Sequence, residues 1–161
     1  MTVALDEHDL AILAALCADA RTPVSQIAEL IGLSRPAVAE RIDKLERNGV
    51  LRGTTAVIDP VKVGKSVTAF VSAREKGAIN AGHRSALRAL LAREEVLEMH
   101  SVAGDDCYLI KIRTDSIQSL NQLVSTLGTP PLNVSTRTTI VMHTYGEKVG
   151  GILIAPEEIA R

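Results

Sequence analysis

Aromatic residues are almost absent from this chain of 161 residues, which contains one phenylalanine, two tyrosines and no tryptophan. Proteins that hold single-stranded nucleic acid stack its bases on aromatic side chains, so this composition disfavours such a ligand. No apolar run reaches the ~18 residues that a membrane-spanning helix requires. Acidic residues stand near the start, where a secretory signal has basic and then apolar residues. We therefore expect a cytoplasmic protein with no membrane partner.

Cysteine and histidine are few and scattered. Cys17 and Cys107 lie far apart and in no CxxC pattern, so we expect free thiols, the first in a helix core and the second at a strand start. A zinc site needs three or four converging ligands, and the histidines share no ligand spacing. They are His8, His83, His100 and His143. Since catalytic motifs such as GxSxG are missing too, the sequence predicts no metal, no cofactor and no enzyme activity.

Charge is nearly balanced overall but uneven along the chain. The formal net charge of −1 argues weakly against a nucleic-acid partner. Residues 1–33, however, contain five acidic residues and one basic residue, whereas residues 34–53 contain five basic and three acidic ones. The second segment therefore carries a modest basic patch, which a dimer would present twice.

Periodic apolar residues predict two short helices before this basic segment. The first spans residues 6–18, and its inward stripe at spacings of three and four includes Cys17. We expect Thr22 to cap the second helix and Pro23 to lie in its first turn. Gly32 ends that helix, because a left-handed conformation costs little only for glycine.

The spacing of small and apolar residues across this region is typical of a helix-turn-helix. Ala28 allows two helices to cross closely, and Gly32 makes the turn between them. Ser34 caps a third helix that runs to about Arg47, and Val38 packs that helix onto the core. These residues together predict a DNA-binding domain.

The outward face of the third helix carries the residues that we expect to contact double-stranded DNA. Such a helix fits the major groove with its N-terminal residues nearest to the bases. The residues expected at base edges are Arg35, Ala39, Glu40 and Arg41. Phosphate contacts are expected from Lys44, Arg47 and Arg52, with further contacts from Ser34 and Thr54. The alternative is a solvated helix face without a partner, since acidic residues stand among these bases.

The pattern alternates between strands and helices after residue 65. Strands are predicted at 66–73, 96–102, 107–113 and 134–145, and helices at 81–93 and 116–127. The order β-α-β-β-α-β indicates a ferredoxin-like αβ-sandwich, in which two helices cover one face of a four-stranded antiparallel sheet. The other face must also be buried, and its small side chains suit self-association.

Five segments stand in the order typical of one regulator family and cover nearly the whole chain. They are LDEHDLAILAAL, LSRPAVAERIDKLERNGVLRG, DPVKVG, VAGDDCYLIKIR and STRTTIVM. The chain resembles the Lrp/AsnC family of leucine-responsive, or feast/famine, transcription regulators. That resemblance implies DNA binding, dimers joined through the sheets and often octamers. It also implies effectors, commonly free amino acids, that bind between dimers and alter assembly or DNA affinity.

The resemblance also places the effector site in the loop before the third strand. The residues concerned are Gly104, Asp105, Asp106, Cys107 and Tyr108. An amino acid offers a carboxylate, which suits backbone N–H groups exposed by a glycine loop, and an ammonium, which suits a carboxylate such as Asp105. We expect Thr136 and Thr138 on the final strand to supply hydroxyls.

One departure from the family pattern bears on this site. Many relatives carry an aspartate directly before the tyrosine, where this chain has Cys107. If that aspartate holds the ligand ammonium elsewhere, Asp105 or Asp106 must do so here, or the ligand differs. The alternative is that Gly104 and the two aspartates form only a hairpin turn, which their composition also favours.

The expected architecture is therefore α+β. A winged-type helix-turn-helix occupies residues 1–53, a linker with one extended strand at 54–58 occupies residues 54–65, and a ferredoxin-like domain for effector binding and oligomerisation occupies residues 66–161.

Two rival functions share this pattern. A tetrapyrrole (siroheme-type) decarboxylase resembles the family in both domains but needs a basic, histidine-containing pocket, which the sequence does not indicate. A chromosome-architectural protein would use the same DNA-binding helix without an effector.

Overall fold

The computed structural model describes residues 3–77 and 82–147. It divides into two compact units, of which the first contains residues 3–57 and Glu147 and the second runs over Ile58–Gly146. The helices of the first unit are α1 (Glu7–Ala18), α2 (Val24–Ile31) and α3 (Arg35–Arg47). No helix in the described ranges is long and apolar enough to cross a membrane.

The three helices of the first unit close around one apolar core. Ile12 of α1, Ile27 of α2 and Val38 of α3 have no exposed surface, and Leu45 adds a second contact from α3. Burying each such side chain contributes about 1.5–3 kcal/mol relative to leaving it in water. One large residue from each helix therefore holds the unit together, as expected of a helix-turn-helix.

The turn between α2 and α3 has the predicted geometry. Gly32 adopts a left-handed conformation with φ of 69°, and its N–H donates to the carbonyl of Ala28. Ala28 is buried, which lets the helices approach. The hydroxyl of Ser34 accepts a hydrogen bond from the N–H of Ala37 at 3.4 Å and so caps α3. The predicted roles of these residues are confirmed.

The inward face of α1 differs in phase from the prediction. Ile12 and Leu13 are buried, and Asp9 one turn earlier lies on the same side. Cys17 is exposed, although we expected it in the core. The buried face of α1 contains residues 9, 12 and 13, so the side chain at position 17 lies to one side of that face. The sequence left this open because α1 is apolar on more than one side.

The start of α2 also differs from the prediction. Pro23, rather than Thr22, occupies the cap position, and no side chain supplies a capping hydrogen bond there. The hydroxyl of Thr22 donates to the carbonyl of Asp19 at 2.7 Å. The threonine therefore closes the turn after α1, a local hydrogen bond that competes with capping.

The segment after α3 forms no strand among its described residues. Residues 54–59 are neither helical nor paired, and a turn follows at 60–64. An extended segment needs a neighbouring strand to satisfy its backbone groups, and the sheet recorded in this chain does not include these residues. The strand predicted at 54–58, which would supply the wing, is therefore absent from the single chain.

The second unit has the predicted βαββαβ order. Its elements are β1 (Val67–Glu75), α4 (His83–Leu91), β2 (Val96–Ser101), β3 (Tyr108–Thr114), α5 (Ile117–Leu127) and β4 (Val134–Ile140). The strands lie in the order β2-β3-β1-β4, and every neighbouring pair is antiparallel. This is the ferredoxin-like arrangement expected from the sequence.

Alternating residues of β1 show how the sheet is covered. Ala69, Val71 and Ala73 are buried in a core with apolar residues of α4 and α5. Phe70, which points to the opposite face, is 38% exposed. Successive side chains of a strand point to opposite faces, so both helices lie on one side of the sheet. The opposite face is open in the described single chain.

The buried face of α4 is displaced toward its start. Leu90 is buried as expected, but Leu91 is 50% exposed and His83 is 3% exposed. The predicted start of this helix at residue 81 lies outside the described residues, as do residues 148–161 of the predicted domain. A buried histidine at the first turn therefore replaces part of the leucine surface that we expected to face the core.

β4 ends earlier than predicted. Its last residue is Ile140, which pairs with Ala69, and the N–H of Val141 donates to the carbonyl of Thr68 at 2.8 Å. β1 begins at Val67, two residues before Ala69, so pairing in this register could reach residue 142 at most and not the predicted 145. The predicted extension to residue 145 is wrong, and His143 accordingly lies outside a strand.

A substitution at Gly32 tests the turn. Gly32→Ala places a Cβ in the left-handed region, and we expect a loss of about 1 kcal/mol in the free energy of unfolding. Urea denaturation followed by circular dichroism measures it. Gly128, with φ of −74°, is the matched control, and Gly128→Ala should leave stability unchanged or slightly raised. An equal effect at both positions would contradict the turn assignment.

Candidate functional site

One face of α3 combines exposed basic residues with a fixed orientation. Val38 and Leu45, seven residues apart, bury the opposite face. The predicted DNA contacts at Arg35, Ala39, Glu40, Lys44 and Arg47 are all exposed. Arg35 begins the helix, and Lys44 and Arg47 lie in its last turn. The residues that we expect at base edges and at phosphates therefore all lie on one exposed surface.

The remaining predicted phosphate contacts flank α3. Ser34 is exposed but its hydroxyl caps the helix, so any phosphate contact shares that oxygen. Arg52 and Thr54 are exposed in the irregular segment that follows. Their assignment to phosphates stays a prediction.

Arg41 has a different environment from the other predicted contacts. Its Nη1 lies 2.7 Å from Asp6 Oδ2 and 2.7 Å from Asp9 Oδ1, both at the start of α1. The Arg41 side chain is only 28% exposed, and that of Asp9 is 5% exposed. The hydrogen bonds to Asp6 and Asp9 raise the pKa of Arg41, so it stays charged. In the single chain this guanidinium is held by α1, and its expected contact with a base edge stays a prediction.

A signal for this contact was present in the sequence. Asp6 and Asp9 stand three residues apart at a helix start, and they form a capping box in which each side chain accepts from the other's backbone N–H. Their pairing with Arg41, 35 and 32 positions further along the chain, depends on the packing of α1 against α3, which periodicity does not reveal.

The predicted effector loop is a hairpin between β2 and β3. The N–H of Val102 donates to the carbonyl of Cys107 at 3.0 Å, and the N–H of Cys107 donates to the carbonyl of Ala73 at 2.9 Å. Gly104 has a φ of 131°, which only glycine adopts without strain. The hairpin interpretation therefore holds, and the exposed Gly104 and Asp105 remain available to a ligand.

Asp106 has a partner that the sequence did not suggest. Arg137 of β4 places its Nη2 2.9 Å from Asp106 Oδ2, and the arginine side chain is 75% exposed. An aspartate already paired with a guanidinium is less suited to hold a ligand ammonium. Residues 106 and 137 come together only because β4 and the hairpin lie at the same end of the sheet.

Tyr108 belongs to a polar cluster under the helices rather than to the exposed loop. Its hydroxyl donates to Glu75 Oε1 at 2.8 Å and lies 2.9 Å from His83 Nε2. Burial, and then the hydrogen bond to Glu75, raises the pKa of Tyr108 to about 12. The tyrosine therefore links the ends of β1 and β3 to the start of α4. Sequence reasoning missed Glu75, whose only signal was an acid at the end of a buried strand.

The two predicted threonines lie on exposed β4. In the register of the sheet, Tyr108 and Thr136 both pair with Ala73, so they stand in one row two strands apart, or about 10 Å. Thr138 pairs with Val71, two residues further along β1 from the hairpin. The fold therefore brings Thr136 near the hairpin end of the sheet and places Thr138 farther from that end.

No group of three or more His, Cys, Asp or Glu side chains within residues 3–77 and 82–147 has the geometry to hold a metal ion. Cys17 and Cys107 are free thiols. Cys107 is half-buried next to the start of β3, as expected from its position before that strand.

A helix-turn-helix unit followed by a βαββαβ sandwich is the architecture of a two-domain transcription regulator. Two family models match the chain in that order. An AsnC-type helix-turn-helix domain matches residues 5–46, and an Lrp/AsnC ligand binding domain matches residues 68–149. The chain belongs to the Lrp/AsnC family.

Individual relatives agree with this assignment. The HTH-type transcriptional regulator FL11 of Pyrococcus horikoshii is 36% identical over 148 residues, covering 91% of this chain and 95% of the relative. The crystal structure of Mycobacterium tuberculosis LrpA matches with a TM-score of 0.79 and 34% identity over 89% of this chain and 97% of that one. A feast or famine regulatory protein from M. tuberculosis complexed with L-methionine matches with a TM-score of 0.82 and 34% identity over 91% and 97%.

The tyrosine cluster predicts a specific loss of stability in alkali. A folded-state pKa of about 12 against 10.0 unfolded means that the stabilisation is fully present below pH 10 and is lost as the pH rises through 12. This shift of two pKa units corresponds to at most about 2.7 kcal/mol in the free energy of unfolding. Tyr108→Phe should remove this component from urea-unfolding free energies, while Tyr145→Phe, at a 97% exposed residue, should retain it. Identical pH profiles for all three proteins would contradict the assignment.

Proposed function

We propose that this chain is a homo-oligomeric regulator that binds double-stranded DNA through α3 and whose assembly or DNA affinity responds to a free amino acid. The observation that carries the proposal is the exposed face of α3, with Arg35 at its start and Lys44 and Arg47 at its end, on a helix oriented by a buried core. A helix presented in this way suits the major groove. The relatives' names, which are those of transcription regulators, support this function over the decarboxylase.

Two copies of the chain are needed for α3 to recognise a pseudo-palindromic site. Groove-to-groove spacing of half-sites is about 34–36 Å, so the copies must be held at a fixed separation. The open face of the sheet, with its partly exposed Phe70, supports a homodimer joined there, and dimers would assemble further to an octamer. Residues 1–53 bind DNA in this proposal, residues 54–65 link the domains, and residues 66–161 bind effector and oligomerise.

The hairpin after β2 supplies complementary groups for an amino acid. The backbone at Gly104 suits the ligand carboxylate, and the exposed carboxylate of Asp105 suits its ammonium. Asp106 is paired with Arg137, so we assign the ammonium to Asp105. A related protein at 34% identity was crystallised with L-methionine, which supports an amino acid as the effector class. The effector must prefer one assembly in order to control it.

Substitutions in α3 test the DNA contacts. Arg35→Ala should weaken binding to a duplex selected by the wild-type protein by about 1–3 kcal/mol and relax preference at one base pair. Lys44→Ala should weaken binding to every duplex and reduce the slope of log K against log salt by about 1. Fluorescence anisotropy between 50 and 200 mM salt measures both. Arg88→Ala, at an exposed residue of α4, is the control, and wild-type binding by both α3 variants would disprove the assignment.

A titration with the twenty amino acids tests the effector. At least one should raise the Tm or change the oligomer size of the wild-type protein, because a ligand stabilises the state that it binds. Asp105→Asn should abolish the response, while Asp43→Asn, at an exposed residue of α3, should retain it. A chain that responds to none of the twenty, yet binds its duplex, would be a DNA-architectural protein instead.

A further inference from the structure

The two carboxylates at the start of α1 form a closed hydrogen-bond network with Arg41. Asp6 Oδ1 accepts from the N–H of Asp9 at 2.8 Å, and Asp9 Oδ2 accepts from the N–H of Asp6 at 3.4 Å. Their other two oxygens each accept from Arg41 Nη1 at 2.7 Å. All four carboxylate oxygens therefore have a donor, and the guanidinium completes the set.

Burial of Asp9 makes the loss of its hydrogen-bond partners costly. Asp9 is 4% exposed, and a buried carboxylate is stable only when charge and hydrogen bonds compensate it. The hydrogen bond from the Asp9 backbone, and then that from Arg41, lowers the pKa of Asp6. Arg41 contacts both carboxylates through Nη1, so the network ties the middle of α3 to the start of α1.

The network joins the helix that would enter the groove to the helix behind it. The apolar contacts of Ile12 and Val38 also join α1 and α3, but apolar packing is non-directional and tolerates sliding. Charge-assisted hydrogen bonds have strict geometry and fix the relative position of the groups that they connect. Arg41 lies midway along α3, between the base-reading start and the phosphate-binding end.

We propose that Arg41 is a positioning residue, which sets the pose of α3 against α1 through Asp6 and Asp9 and thereby enables α3 to discriminate among DNA sequences. This inference rests on the proposed function, in that α3 must be the DNA-reading helix. It assigns to Asp6 and Asp9, two acids that would repel phosphate, a role in favour of sequence-specific binding.

An Asp9→Asn variant distinguishes a positioning role of Arg41 from a direct DNA contact, because the two roles predict changes in DNA affinity of opposite sign. The variant removes one negative charge near the DNA-binding helix and one of the two ion pairs of Arg41. If Arg41 or simple electrostatics governed binding, affinity for DNA would rise. If Arg41 positions α3, affinity for the selected duplex falls although the protein has become more basic. Glu7→Gln is the matched control, because it removes the same charge from an exposed neighbouring residue of α1.

The experiment measures anisotropy with the duplex that the wild-type protein enriches from a random library and with a scrambled duplex of equal length. Asp9→Asn and Arg41→Lys should each lose about tenfold in affinity for the selected duplex, roughly one well-formed base contact, and less than about twofold for the scrambled one. Asp9→Asn should keep the wild-type salt slope. The double variant Arg41→Ala with Asp9→Asn should bind the selected duplex as tightly as Arg41→Ala alone, because both substitutions remove the same interaction.

Other outcomes overturn the proposal. In the first, Asp9→Asn binds the selected duplex at least as tightly as wild type does. In the second, Arg41→Ala weakens binding to both duplexes equally and lowers the salt slope by about 1. Either result makes Arg41 a direct contact or a bystander. If Asp9→Asn lowers the Tm below the assay temperature, Asp6→Asn, at a side chain 51% exposed, carries the same test. A wild-type protein that binds no duplex would remove the proposed function itself, which is a distinguishable failure.

Discussion

Burial of Val38 against Ile12 and Ile27 decides which side of α3 meets solvent. All three side chains are fully buried, and each comes from a different helix, so rotating α3 would expose apolar surface and cost stability. The exposed face with Arg35 and Lys44 is a consequence of that packing. The apolar core restricts the orientation of α3 coarsely. In our proposal, the directional hydrogen bonds of Arg41 fix its position against α1 more closely.

The second unit is governed by a comparable constraint. Two helices cover one face of the sheet and leave the other open in the described single chain. The same coverage places the Tyr108 hydroxyl under α4, where Glu75 and His83 satisfy it. Consequently Tyr108 anchors the hairpin between β2 and β3 to the fold, while Gly104 and Asp105 in the same hairpin are exposed.

Elements with local causes were predictable from the sequence. Gly32 and Ser34 specify a turn and a cap through their own backbone and side-chain chemistry, and the alternation around Val71 specifies a half-buried strand. The phase of α1 was not predictable, because Leu10 and Cys17 are apolar as well as the residues that are buried. The limit on β4 was not predictable from its own composition, because β1, its partner, ends the possible pairing before residue 145.

The amino-acid sequence by itself determined the order of the elements, the turn chemistry, the βαββαβ arrangement and the basic segment at α3, because each follows from residues near one another in the chain. Only the tertiary structure decided that Arg41 pairs with Asp6 and Asp9 and that Asp106 meets Arg137. Those contacts join residues more than 30 positions apart, and the hydrophobic periodicity that predicts helices and strands carries no information on which charged side chains the packing brings together.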